Sequence, residues 1–262
     1  MPDQVKYTQK LKDAKVLVVG GTSGIGYCVA EALVENGVHV TVSSSNQSRV
    51  DQTISRLQKA YPSAESRISG HACNLGDEDT LESNIVDLLE KVGKVDHIIH
   101  TAGDALASMK LSEVDMTKIK QAGMVRFFSP MLFGKHASKY LTGGRKSSFT
   151  ITTGAVSEHP IPDWTVVGSY ATGLQGMTRQ LALDLKPIRV NLVSPGAVNT
   201  ELWTNSGMSE EQKQSALEGM KKNMATGRVP GPEEIAEAYL YLLKDENCTG
   251  SMISTSGGHL IT

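Results

Sequence analysis

The sequence predicts a single α/β domain, a doubly wound parallel sheet of about seven strands with helices on both faces. Three observations carry this. Short β-branched runs alternate with longer stretches of helical periodicity along the chain. A glycine-rich turn, Gly20-Gly21-Thr22-Ser23-Gly24-Ile25-Gly26, joins the first such run to the first helical stretch. The chain has 262 residues, 39% of them hydrophobic, which suffices for one large core without disulfides or metal.

Taken in order, KVLVV at 15–19 reads as a buried strand and 24–36 as the helix that follows the glycines. VHVTV at 38–42 is the second strand and 48–60 the second helix. A weaker strand spans 66–73. Within 78–92 the apolar residues Leu81, Ile85, Leu88 and Leu89 recur at helical spacing. VDHIIH at 95–100 is a strand, 114–141 one long helix, and 149–152 a strand. A helix over 166–185 is stopped by Pro187. A strand at 188–193, a helix at 233–243 and a strand at 251–255 complete the alternation. Apolar strands interleaved with helices give right-handed crossovers and a sheet covered on both faces. The polar, Met- and Lys-rich stretch 200–231 breaks the rhythm after the sixth strand. It reads either as a lid, since ligands bind beyond the carboxyl ends of such strands, or as a solvated surface helix. Met208, Met220 and Met224 would line a lid or form a helix packing face.

Composition excludes several functions. Lys plus Arg is 26 and Asp plus Glu 28, a net charge of −2, without the basic excess of a nucleic-acid binder. Cys28, Cys73 and Cys248 form neither a disulfide framework nor a CxxC metal pattern, and the His residues show no ligand spacing, so no metal is expected. The polar N-terminus lacks the apolar stretch of a secretory signal, and no apolar run reaches the roughly 18 residues of a membrane span. The expectation is a cytoplasmic protein with a small-molecule substrate and no nucleic-acid or membrane partner.

The glycine turn has a specific chemistry. Glycine lets backbone approach a phosphate closely, and a helix N-terminus presents free N–H groups to the anion. The spacing Gly20-xxx-Gly24-x-Gly26 resembles the cofactor loop of the short-chain dehydrogenase/reductase family, whose domain is a Rossmann fold. Further landmarks fall in order. His100-Thr101-Ala102-Gly103 stands where the family has Asn-Asn-Ala-Gly. Ser194-Pro195-Gly196-Ala197-Val198-Asn199-Thr200 matches its nicotinamide segment, and Thr249-Gly250 with Gly257-Gly258 its final strand. The resemblance spans nearly the whole chain. It implies a dinucleotide held by Gly20, Thr22, Ser23, Gly24, Ile25 and Gly26 at the phosphates, by Asn74 and Leu75 at adenine, and by Thr101, Ala102, Gly103, Pro195, Gly196, Val198 and Thr200 toward nicotinamide. It also implies a homo-oligomer, a tetramer or dimer, formed through the fourth and fifth helices.

An NAD site usually carries an acid about 20 residues after the glycines. Here Ser43-Ser44-Ser45-Asn46-Gln47-Ser48-Arg49 contains none, and the hydroxyls of Ser44 and Ser45 with Asn46 and Arg49 suit a 2′-phosphate. The expected cofactor is NADP(H). Ser48 would otherwise cap the next helix, or do both.

The family's Asn-Ser-Tyr-Lys tetrad has no counterpart. A YxxxK motif from Tyr170 would need lysine at Leu174. The stretch Gly176-Met177-Thr178-Arg179-Gln180-Leu181-Ala182 aligns without gaps and puts Val167 at the tyrosine position, Ala171 at the lysine, Thr153 at the serine and Arg126 at the asparagine. No proton donor with a lowered pKa remains on that helix. Arg126 reads as an electrophilic or positioning group, or equally as a phosphate contact or half of a buried ion pair. The loop Glu158-His159-Pro160-Ile161-Pro162-Asp163-Trp164 should border the nicotinamide face. Trp164 would stack on a flat substrate or serve the core. Asp163 would donate a proton, pair with a cation, or cap a helix. Arg126, Thr153, Asp163 and Trp164 are the candidate catalytic residues.

The pattern resembles an atypical fungal subgroup of the family that includes NADPH-dependent reductase/Diels–Alderases of indole-alkaloid biosynthesis, with a Pro-Asp-Pro-Gly-Trp loop and an arginine at the asparagine site. Here Ile161 takes the place of that loop's aspartate. Three functions follow as expectations: an NADPH-dependent reductase of a specialised imine, iminium or carbonyl compound; a pericyclase or isomerase that keeps its cofactor; and a dinucleotide-binding sensor.

Overall fold

The computed structural model describes residues 4–205 and 209–262. Its sheet has seven parallel strands, β1 (Lys15–Val19), β2 (His39–Ser44), β3 (Ile68–Ala72), β4 (His97–His100), β5 (Ser148–Thr152), β6 (Arg189–Pro195) and β7 (Met252–Thr255). They lie in the order β3-β2-β1-β4-β5-β6-β7. The helices are α1 (Gly24–Glu35), α2 (Gln47–Ala60), α3 (Leu81–Val92), α4 (Met116–Gly123), α5 (Ser129–Tyr140), α6 (Thr165–Asp184), α7 (Leu202–Asn205), α8 (Glu210–Lys221) and α9 (Pro232–Lys244).

Strand alternation builds two cores. Along β1, Val16 and Val18 pack with Val29 and Leu33 of α1, Val50 of α2 and Tyr239 of α9. Leu17 and Val19 point the other way, to Ile85 of α3, Phe133 of α5 and Leu174 of α6. A strand buried on both faces needs apolar residues at every buried position, hence the uninterrupted VLVV that follows exposed Lys15. After β3 the chain crosses to the far side of β1 to lay down β4, so β1 and β4 flank the switch point where such sheets bind ligands.

The structure corrects two elements of the sequence reading. The predicted strand at 66–73 is shorter, because Pro62–Arg67 coils into a 3₁₀ turn before β3 begins. The predicted helix at 114–141 is α4, a π turn at Met124–Phe128, and α5. Pro130 has no N–H to donate and is tolerated in the first turn of α5, just after the π turn. Single-turn π bulges recur at functional sites, and this one carries Arg126. In the 200–231 stretch the described residues form α7 and α8, the latter opened by a capping box between Ser209 and Gln212. Met208 lies outside the described residues. Among those residues no helix is long and apolar enough to cross a membrane, and no group of three His, Cys, Asp or Glu side chains is placed to hold a metal ion.

Two buried histidines fix β4. The His97 Nδ1 lies 2.8 Å from the Ser148 hydroxyl on β5, and the His100 Nε2 lies 2.6 Å from the Ser129 hydroxyl at the start of α5. Burial, joined by the charge of Arg189, pulls the His97 pKa down to about 4. Burial pulls the His100 pKa down to about 3. Both are neutral at pH 7. A pKa depressed on folding contributes stability above the unfolded value, near 6.5, that is lost as pH falls toward the folded value. The urea midpoint should therefore fall as pH drops from about 6.5 to about 5.5, ahead of most carboxylate titration. A His97→Asn/His100→Asn variant should lose most of that slope, whereas an unchanged slope would contradict this account.

Candidate functional site

At the carboxyl ends of the strands lies one cavity of about 1000 Å³. Its floor is set by a close backbone approach. Gly20 has φ +85°, and a Cβ there would sit 2.5 Å from Ala102. A Cβ on Gly26 would sit 2.1 Å from the Gly20 carbonyl oxygen and 2.4 Å from the Thr101 hydroxyl. The Thr101 backbone N–H and hydroxyl both donate to the Val19 carbonyl, at 2.8 and 3.0 Å. The turn after β1 is thus pinned against the turn after β4, with the first turn of α1 opening toward the cavity.

Of the residues expected to hold a dinucleotide, Gly20, Thr22, Ser23, Gly24, Ile25, Gly26, Ser44, Ser45, Arg49, Asn74, Leu75, Thr101, Ala102, Gly103, Pro195, Gly196, Val198 and Thr200 line the cavity. Asn46 does not. Its side chain caps α2 by accepting from the Arg49 backbone N–H at 3.2 Å, the capping role the sequence reading allowed to Ser48. Ser48 instead accepts from Gln52 at 3.3 Å. Arg49 donates from Nη2 to the Ser45 hydroxyl at 3.0 Å, so serines and a guanidinium converge beyond β2 with no carboxylate among residues 43–49. Asn74 folds onto its own turn, its Oδ1 accepting from the Gly76 N–H at 3.0 Å.

The four tetrad positions converge as well. Arg126, Thr153, Val167 and Ala171 all line the cavity, which supports the ungapped register. Thr153 donates its hydroxyl to the Ala171 carbonyl at 2.8 Å, so its proton braces α6 against β5 and is not free for a substrate. Tyr170 touches the cavity wall, but its hydroxyl donates to the Ile119 carbonyl at 3.0 Å, and its ring packs on Phe127 with centroids 4.9 Å apart. Burial raises its pKa further from the range of a proton donor.

Arg126 is half of an ion pair. Its Nε lies 3.1 Å from the Asp104 Oδ1, and its Nη2 donates to the Asp104 backbone carbonyl. Burial lowers the Arg126 pKa and the Asp104 charge opposes that, so the guanidinium stays charged. Burial raises the Asp104 pKa and Arg126 opposes it. The guanidinium lies over Gly103, where a Cβ would come within 2.7 Å of Nη1. Asp104 escaped the sequence reading; its place directly after His100-Thr101-Ala102-Gly103 was the available signal.

The loop after β5 divides the remaining candidates. Trp164 lines the cavity, with Pro160, Ile161 and Pro162. Asp163 is exposed, has φ +63° and is absent from the lining; its carbonyl accepts from the Met109 N–H at 2.9 Å. Trp164 holds the N-cap position of α6 without a side-chain bond, so Asp163 does not cap that helix, and its place outside the lining speaks against a proton-donor role. Residues that sequence reasoning did not place at the site include Trp203, Tyr170 and His259, while Met220 and Met224 of the 200–231 stretch do reach the lining.

Residues 7–262 match the family described as an SDR-like Rossmann domain. The chain belongs to the short-chain dehydrogenase/reductase family. It is similar to the short-chain dehydrogenase/reductase fsr5 of Gibberella fujikuroi, 44% identical over 98% of both chains. It is also similar to malC of Malbranchea aurantiaca, 37% identical over 96% of both. The solved MalC reductase/Diels-Alderase from that fungus is 36% identical and superposes with a TM-score of 0.91 over 97% of this chain and 99% of its own. A small-chain dehydrogenase solved in complex with NADPH is 27% identical, with a TM-score of 0.77 over 96% of this chain and all of that one. These relatives group the chain with the fungal members that its sequence resembles.

A methyl at Gly103 would collide with the guanidinium that the family's asparagine position here presents. Gly103→Ala should displace Arg126 from Asp104 at a cost of no more than about 1 kcal/mol by urea unfolding, because the flexible guanidinium end can shift. An Arg126–Asp104 pair left intact in a crystal structure of the variant would contradict the packing described here.

Proposed function

We propose that this protein is an NADP(H)-dependent oxidoreductase of atypical mechanism that acts on a specialised, largely apolar small molecule. The carrying observation is that Arg126, Val167 and Ala171, which the ungapped register aligns with the family's asparagine, tyrosine and lysine, line one cavity with the glycine turn. The residues present fit the dinucleotide. The α1 N-terminus faces the cavity for its pyrophosphate, and Ser44, Ser45 and Arg49 gather at the end where a 2′-phosphate would lie. Bound there, the nicotinamide would supply or accept the hydride.

The chain's own residues define what can react. Arg126 can donate hydrogen bonds to a carbonyl or amide oxygen without surrendering its proton, and Asp104 holds its plane in place. Trp164, Ile161, Val167, Leu174 and Met224 give the substrate end an apolar surface. Reduction of a ketone must end with a proton delivered to an alkoxide, and no side chain here is tuned for that. An iminium reduced in this cavity becomes a neutral amine and draws no proton from the protein. Trp203, Met220 and Met224 line the cavity, which supports reading the described part of the 200–231 stretch as a cover over the substrate end. By family resemblance the protein assembles as a homo-oligomer, which sedimentation at the monomer mass would contradict.

A second reading uses the same surface. Arg126 and Trp164 could orient a substrate for cyclisation or isomerisation with no net oxidation, and the likeness to MalC favours keeping it in view. Ile161 in place of that loop's aspartate, with Asp163 outside the cavity, counts against transfer of a proton-dependent cyclisation. The test is a panel of cyclic iminium ions and matched ketones, with NADPH and product measured together. The reductase reading expects one NADPH consumed per product, faster with iminium ions, and a loss in kcat/KM of about a hundredfold in Arg126→Met. Product formed without NADPH loss would instead establish the second reading.

A further inference from the structure

Glu201 contacts the anion-binding end of α1. Its Oε2 accepts from the Gly24 N–H at 3.1 Å. The segment lies flat over the helix start, since a Cβ on Gly24 would meet Thr200 Cγ2 at 3.2 Å and Glu201 Oε2 at 3.7 Å. Ser23, the N-cap residue, makes no side-chain cap of its own. A carboxylate on a helix N-terminal N–H is a charge-assisted bond favoured by the helix dipole. The same property makes that terminus a seat for a pyrophosphate. Two anions at one seat repel, so carboxylate and pyrophosphate compete.

We propose that Glu201 is an affinity-setting residue, a carboxylate latch on Gly24 that the pyrophosphate of the dinucleotide displaces, and that its release moves Trp203 in the wall of the substrate end. This inference rests on the dinucleotide reading above and adds to it a link between the two ends of the cavity. A neighbouring recess of about 450 Å³ offers the displaced side chain a destination. Glu201 already borders it, and so do Arg56 and Lys213, with Glu31 and Glu233 on other sides. Trp203 is two residues farther on. It donates from Nε1 to the Val198 carbonyl at 2.8 Å, so a shift of the backbone at Glu201 is carried to a residue that lines the cavity.

The experiment titrates the intact protein with NADPH, NADH and inorganic pyrophosphate, for the wild type and Glu201→Gln. All three ligands share the pyrophosphate, so Glu201→Gln should tighten each by a similar factor, about threefold to tenfold. Glu211→Gln removes the same charge from exposed α8 and should leave the affinities unchanged. In a Trp164→Phe background Trp203 is the remaining indole, since the chain has two tryptophans. Its emission should move when pyrophosphate is added, and in the added presence of Glu201→Gln should start near that end point. Equal or weaker affinities in Glu201→Gln would overturn the latch while leaving the dinucleotide reading intact. Failure of both wild type and Glu201→Gln to bind NADPH would overturn the dinucleotide reading, and the latch with it.

Discussion

The site depends on one steric constraint, the close backbone approach of the turn after β1 to the turn after β4. Gly20 and Gly26 leave no room for a side chain between those turns, and Thr101 closes the gap with two hydrogen bonds to Val19. That contact aims the first turn of α1 into the cavity and brings Gly103 and Asp104 beneath the π turn. The two apolar cores on either side of the sheet hold the strands in register so that these turns meet. The phosphate end and the reacting end are therefore parts of one rigid arrangement built at the β1–β4 switch point.

In the register that the family resemblance implies, Val167 and Ala171 stand where a hydroxyl and an amine would, and Arg126 where an amide would. His100 stands at an asparagine position but is held neutral by burial and bonded to Ser129, so it anchors the start of α5 rather than moving protons. Asp104 balances the Arg126 charge in a largely apolar wall, since a partly buried guanidinium without a partner would be costly. The pair can orient a polar substrate group but is a poor source of protons.

Much of this was legible in the sequence. The glycine turn, the acid-free serine stretch and the ungapped register through Gly176 and Ala182 single out residues that line one cavity in the fold. What the sequence hid was non-local or a matter of backbone geometry. Asp104 gains meaning only from Arg126, 22 residues away across the fold. Glu201 meets Gly24 from 177 residues away. The π turn spans five residues, too few to interrupt a helical pattern read from the sequence. Asp163 shows the reverse error: its residue type suited a proton donor or a cap, but the left-handed backbone at that position leaves it exposed and outside the cavity lining. Asn46 was credited to the cofactor because it sits among the serines, whereas its side chain satisfies the start of α2.

On the function proposed above, the fold carries a dinucleotide seat with a 2′-phosphate end but no proton-donating pair beside it. The most direct test is a fluorescence titration of the purified protein with NADPH and, in parallel, NADH. The account predicts saturable binding of both, with NADPH at least tenfold tighter because Arg49 and the serines meet a phosphate. Equal affinities, or tighter NADH, would contradict the assignment of residues 43–49, and binding of neither would contradict the site as a whole.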